Sequence, residues 1–145
     1  MWATQTSVEV AAPPQRIYDY LSDLRRHKEW STGVADIEQI KGEGIQEGAE
    51  FKAQERVPAK FTSFSRITGL EPPSRIEWRS WDGRLFNVDW MFEIKPNGGL
   101  TQVVQSAHFQ PQNLFGQLLL TFMRKRQIPK ENGHSLRRLK QRLEA

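Results

Sequence analysis

Polar and apolar residues alternate along the chain from Arg84 to Lys95, where Phe86, Val88, Trp90, Phe92 and Ile94 are interleaved with Asn87, Asp89, Met91 and Glu93. A period of two predicts an antiparallel strand with one face on a core and the other in water. From Leu100 to Gln110 the same period puts Thr101, Val103, Gln105, Ala107 and Phe109 on one face, and Pro96-Asn97-Gly98-Gly99 between the two segments is hairpin chemistry. Upstream, Ser74 to Trp81 sets Ile76, Trp78 and Ser80 together before a tight turn at Trp81-Asp82-Gly83-Arg84. Gly48 to Val57 groups Phe51, Ala53, Glu55 and Val57, with Pro58 as breaker. Phe61 to Leu70 predicts a strand whose facing stays open, ended by Glu71-Pro72-Pro73, and Val34 to Lys41 predicts one that runs into Gly42-Glu43-Gly44.

The two ends of the chain carry a different period. Val8 and Val10 alternate with Ser7 and Glu9 as a strand, and Pro13-Pro14 then suits the first turn of a helix, where the missing N–H would be unpaired anyway. Ile17, Tyr20, Leu21 and Leu24 recur at spacings of three and four, one helical face, and Arg26 to Trp30 is long enough for about one further turn. A long amphipathic helix is predicted from Gln112 to Leu143. Leu114, Leu118 and Phe122, beside Phe115, Leu119 and Met123, form two apolar rows in it, and Leu136, Leu139 and Leu143 continue the stripe. Ile128-Pro129-Lys130-Glu131-Asn132-Gly133 predicts a kink or break within it. A meander of six strands has one apolar face to cover, and only this helix is large enough to cover it.

This order of elements resembles the polyketide cyclase/dehydrase and lipid-transport branch of the START/Bet v 1-like (SRPBCC) superfamily. The resemblance rests on Ala12-Pro13-Pro14, Ile17-Tyr18-Asp19-Tyr20-Leu21, Asp23-Leu24 with Glu29-Trp30, and the helix end Leu136-Arg137-Arg138-Leu139-Lys140-Gln141-Arg142-Leu143-Glu144. It implies a single α+β domain over residues 1–145 with a helix-grip fold. A curved antiparallel sheet of about seven strands would wrap a long C-terminal helix, with two short helices after the first strand. It also implies an elongated apolar cavity between sheet and helix.

Composition narrows the chemistry. The chain has 145 residues, and a domain of about 150 buries roughly 70% of its unfolded surface, enough core to tolerate a cavity. The absence of cysteine excludes disulfides and thiol nucleophiles. The N-terminal residues lack the basic and apolar regions of a signal peptide, and no apolar run approaches the ~20 residues of a membrane span, so a cytoplasmic protein is expected. Eight Lys/Arg against two Glu lie between Pro111 and Ala145, while the first 110 residues sum to a net charge of −2. Such a basic end reads as a solvated helix face, or as a patch for RNA, a ribosome or an anionic membrane.

The expected cavity wall comprises Trp30, Phe51, Trp78, Trp90, Phe92 and Phe109, with Phe115, Leu119, Phe122 and Met123 from the helix; the competing expectation is that they fill a dry core. Two polar residues share the inward faces. Glu55, the candidate catalytic group, would have a raised pKa there and could exchange protons, and Gln105 could orient a ligand by hydrogen bonding. His27, His108 and His134 lie far apart with no partner at metal-ligand spacing, so neither metal nor cofactor is expected. Ser63 and Ser65 have no nucleophile-elbow frame, and Gly42 to Gly48 has no phosphate-loop lysine.

Three functions follow from these expectations. The first is a carrier of a lipid-like or polyketide-like small molecule, and the second a cyclase or dehydratase of aromatic polyketide-type substrates. The third is an RNA-associated module that needs Arg124, Lys125, Arg126, Arg137, Arg138, Lys140 and Arg142 in one exposed patch. The lack of clustered aromatics to stack bases counts against it. A buried Glu55 beside a second titratable group favours the enzyme, and a purely apolar lining favours the carrier. Oligomeric state is left open.

Overall fold

The computed structural model describes residues 2–56 and 59–145. Seven antiparallel strands form one sheet in the order β1-β7-β6-β5-β4-β3-β2. They are β1 (Trp2–Val10), β2 (Val34–Lys41), β3 (Glu50–Glu55), β4 (Phe61–Glu71), β5 (Arg75–Trp81), β6 (Phe86–Asn97) and β7 (Leu100–Pro111). Helix α1 (Pro14–Ser22) and a 3₁₀ turn (Leu24–Glu29) follow β1; α2 (Leu114–Met123) and α3 (Gln127–Glu144) end the chain. This is the helix-grip arrangement.

From β2 to β7 each strand pairs with its successor, and β1 returns to pair with β7 from Trp2 opposite Phe109 to Val10 opposite Thr101. The alternation that predicts β6 and β7 sets their register: Phe92 faces Gln105, Trp90 faces Ala107 and Val88 faces Phe109. The open facing of β4 is resolved with Ser63, Ser65 and Ile67 inward. The expected end of β3 at Val57-Pro58 lies outside the described residues.

The C-terminal helix differs from expectation in two ways. It is two helices, and the break falls at residues 124–126 rather than 128–133; Arg126 leaves helical dihedrals at φ −130°, ψ −51°. A continuous helix would need the N–H of Pro129 to bond the carbonyl of Lys125, which proline cannot do. The chain therefore breaks one turn earlier, and Pro129 becomes a first-turn residue of α3, where its missing donor costs nothing. The second correction concerns facing. The row Leu114, Leu118, Phe122 and the neighbouring Phe115 point outward, while Gly116 and Leu120 are buried and Leu119 and Met123 are half-buried. A helix apolar on every side gives no periodic signal for which side meets the sheet.

Two apolar clusters make the interior. The larger joins α1, the 3₁₀ turn and the sheet to Leu136, Leu139 and Leu143 of α3; the smaller joins Val88, Ala107 and Phe109 to Leu120 of α2 and Ile128 of α3, with Trp90 packed against both clusters.

Candidate functional site

A cavity of about 850 Å³ opens between the sheet and the C-terminal helices, and its wall draws on both clusters. The sheet contributes side chains from β2 to β7, the 3₁₀ turn contributes His27 and the residues after it Trp30 to Gly33, and α2 and α3 close the remaining side. That volume falls in the range of small-molecule sites.

One wall is aromatic. Trp78 stacks on Phe92 with centroids 5.4 Å apart and 13° between planes, and lies parallel to Trp90 at 6.3 Å. Trp30 meets the same Phe92 edge-on at 5.7 Å, and Trp90 meets Phe109 at 5.9 Å. His27 is wedged between Trp30, at 4.8 Å, and Trp78, at 5.0 Å. Its Nε2–H donates to the carbonyl of Leu21 at 2.9 Å, which fixes the tautomer. Burial among these rings depresses its pKa to about 4, so it stays neutral at physiological pH.

The wall also carries polar groups. Glu55 is half-buried, accepts a hydrogen bond from Ser63 Oγ at 3.0 Å, and has its pKa raised by desolvation against the opposing effects of Ser63 and Arg56. Thr32 donates its hydroxyl to Glu131, and its backbone N–H bonds Ser135 Oγ at 3.1 Å. Two cavity-lining residues hold polar atoms that are buried without a hydrogen-bond partner: Trp30 Nε1, a donor, and Gln105 Oε1, an acceptor. Both residues flank Phe92, Gln105 from the opposite position on β7 and Trp30 from its edge. Unpaired groups of this kind each cost about 1–3 kcal/mol. Among the described residues no group of His, Asp or Glu side chains is arranged to hold a metal ion.

The loop between β5 and β6 sets the position of α2. Asp82 Oδ1 accepts from the backbone N–H groups of Arg84, Leu85 and Phe86. Asn113, the N-cap of α2, bonds Gly116 N–H at 2.8 Å and donates to the Arg84 carbonyl at 2.7 Å.

The structure brings Trp30, Glu55, Trp78, Trp90, Gln105, Phe109, Leu119 and Met123 of the expected set to the cavity wall. Phe51 and Phe92 lie behind it, in the buried cluster. Phe115 and Phe122 point away into solvent, because α2 turns its other face inward. His27, Thr32, Asn132 and Ser135 join the wall from outside the expected set. Extending the Leu136-Leu139-Leu143 stripe back by four reaches Asn132 and Ile128, both buried, so a continued helical period would have found Asn132. The basic residues also separate: Lys140 pairs with Glu144 and donates to the Glu9 carbonyl, Arg138 donates to the Glu29 carbonyl, and residues 124–126 stand exposed in the turn between helices.

Known proteins share this fold. A family model described as polyketide cyclase/dehydrase and lipid transport matches residues 1–144. The structure is similar to the Zhui aromatase/cyclase of Streptomyces sp. R1128, with a TM-score of 0.80 at 14% identity over 99% of this chain and 93% of that one. It is similar to a START superfamily protein of Mycobacterium smegmatis, with a TM-score of 0.77 at 15% identity over 98% and 97% of the two chains. A protein of Thermus thermophilus gives 0.75 at 17% identity over 97% and 96%. No curated protein matches the sequence.

Proposed function

The chain belongs to the polyketide cyclase/dehydrase and lipid transport family, and from that membership we propose that it binds and carries a hydrophobic small molecule, lipid-like or polyketide-like, in the cavity between sheet and helices. The observation that carries this reading is the aromatic wall of Trp30, Trp78, Trp90 and Phe109 around a cavity of about 850 Å³. Flat, rigid side chains offer large contact area to a planar or apolar ligand with little loss of side-chain entropy. Polar groups on the same wall, Glu55 with Ser63 and Thr32 with Ser135, suit a ligand with one polar end.

Native mass spectrometry of freshly purified protein, with displacement of an uncharged naphthalene fluorophore, tests the reading. A co-purifying apolar molecule, or displacement of the fluorophore by hydroxylated aromatics, supports it. A protein that is always empty and whose fluorophore no apolar compound displaces would sink it.

A second reading, a cyclase or dehydratase, is favoured by Glu55, a carboxyl of raised pKa on the same wall. His27 and Glu131 line the same cavity, but among the described residues the side-chain hydrogen bond of Glu55 is to Ser63 and not to either of them, and we keep the carrier as the first reading.

A further inference from the structure

Helix α2 is apolar on both sides, yet only one side is covered. Leu119 and Met123 line the cavity and Leu120 is buried, whereas Leu114, Phe115, Leu118 and Phe122 are 75%, 66%, 54% and 82% exposed. Isolated surface hydrophobics are ordinary, but four large ones on a single ten-residue helix make a patch with a purpose.

Cations stand at both ends of that strip. Arg124, Lys125 and Arg126 follow directly, all exposed, and Arg84 is tied to the start of the helix by the bond from Asn113 Nδ2 to its carbonyl. None of the four is in an ion pair among the described residues. No acidic residue lies in α2. We propose that α2 docks on an anionic lipid bilayer, with Leu114, Phe115, Leu118 and Phe122 entering the headgroup–acyl boundary and the flanking arginines and lysine facing lipid phosphates. An apolar helical face with cations beside it has the chemistry of an interfacial helix.

Self-association through the same face is disfavoured by charge. Two α2 helices packed antiparallel would set each cluster at residues 124–126 against the positive N-terminal end of the other helix, with no carboxylate on either α2 to compensate. Parallel packing would bring the two clusters together. A bilayer containing anionic lipid satisfies both the apolar strip and the cations at once.

The proposal stands whatever the cavity holds, but it places one wall of that cavity at the membrane surface. Docking is therefore expected to speed exchange of an apolar probe between cavity and bilayer.

Flotation of the full chain with mixed phosphatidylcholine/phosphatidylglycerol vesicles, against pure phosphatidylcholine, tests it. Binding to the anionic vesicles should weaken as salt rises. The double variant Phe115→Ser/Phe122→Ser and the triple variant Arg124→Gln/Lys125→Gln/Arg126→Gln should each lower partitioning roughly tenfold or more, with unchanged circular dichroism and melting temperature because these side chains are exposed. The proposal is overturned by equal affinity for neutral vesicles, by full binding in the Phe115→Ser/Phe122→Ser variant, or by no flotation at all. It is overturned equally by a concentration-dependent dimer, without flotation, that the phenylalanine variant dissolves. Flotation together with a cavity that takes up no fluorophore would leave the docking intact and remove the carrier function.

Discussion

Ser63 holds the carboxylate of Glu55 across the β3–β4 pair, donating its hydroxyl to Oε1 at 3.0 Å while the neighbouring pair in the ladder, Ala53 and Ser63, sits directly in register. Desolvation outweighs that bond and raises the Glu55 pKa above its ordinary 4.5. The folded protein thus keeps a proton that the unfolded chain has released. The stability this group confers is full below pH 4.5 and is lost as pH rises through its higher folded value.

Glu55→Gln, which is neutral at every pH, is expected to be more stable than the parent at neutral pH and to lose that advantage under acid conditions. Urea denaturation at several pH values checks this. Should the cyclase or dehydratase reading hold, the same variant abolishes turnover while leaving fluorophore binding intact; a variant that turns over normally removes Glu55 from any catalytic role.

His27 has the opposite sign. Its pKa is depressed from 6.5 to about 4, so the unfolded chain takes up a proton that the folded one refuses. Stability is fully present above pH 6.5 and falls as pH drops through about 4, by up to about 3 kcal/mol. His27→Phe keeps a ring between Trp30 and Trp78 but loses the bond to the Leu21 carbonyl. It should cost about 1 kcal/mol at neutral pH and flatten the acid slope. An unchanged slope between pH 6.5 and 4 would assign the acid sensitivity to other groups.

Gly116 tests how α2 is seated. A Cβ there would lie 2.6 Å from the carbonyl oxygen of Leu85, a backbone atom that cannot swing aside. Glycine to alanine inside a helix ordinarily gains about 1 kcal/mol. Here Gly116→Ala is expected to lower the melting temperature instead and to raise hydrogen exchange through α2, because the helix must lift from the β5–β6 loop. A stabilised protein with unaltered exchange would refute that seating.

The strands show how far pattern alone reaches. The inward faces of β6 and β7 follow from alternation because a strand's side chains can take only two directions, so one buried tryptophan or phenylalanine orients the whole segment. Phe92 opposite Gln105 and Trp90 opposite Ala107 are implicit in that rule once the hairpin at Pro96 to Gly99 sets the turn. The family resemblance is equally local, resting on the Pro13-Pro14 step and the two ends of the chain.

The helical wall obeys no such rule. Leu114 to Met123 is apolar around its circumference, so periodicity carries no information on whether Phe115 and Phe122 or Leu119 and Met123 meet the sheet. That choice is made by Asn113 and Gly116 docking on Arg84 and Leu85, contacts some thirty residues apart in the chain. The break before α3 is similarly tertiary in its position, although Pro129 makes a break necessary. The sheet, the inward faces of β3, β5, β6 and β7 and the presence of Glu55 and Gln105 on them were legible in the chain itself, since those depend on a period of two and on local turns. Which side of α2 closes the cavity, the neutral His27 between two tryptophans, and the four apolar side chains facing outward were not, since each depends on packing between distant segments.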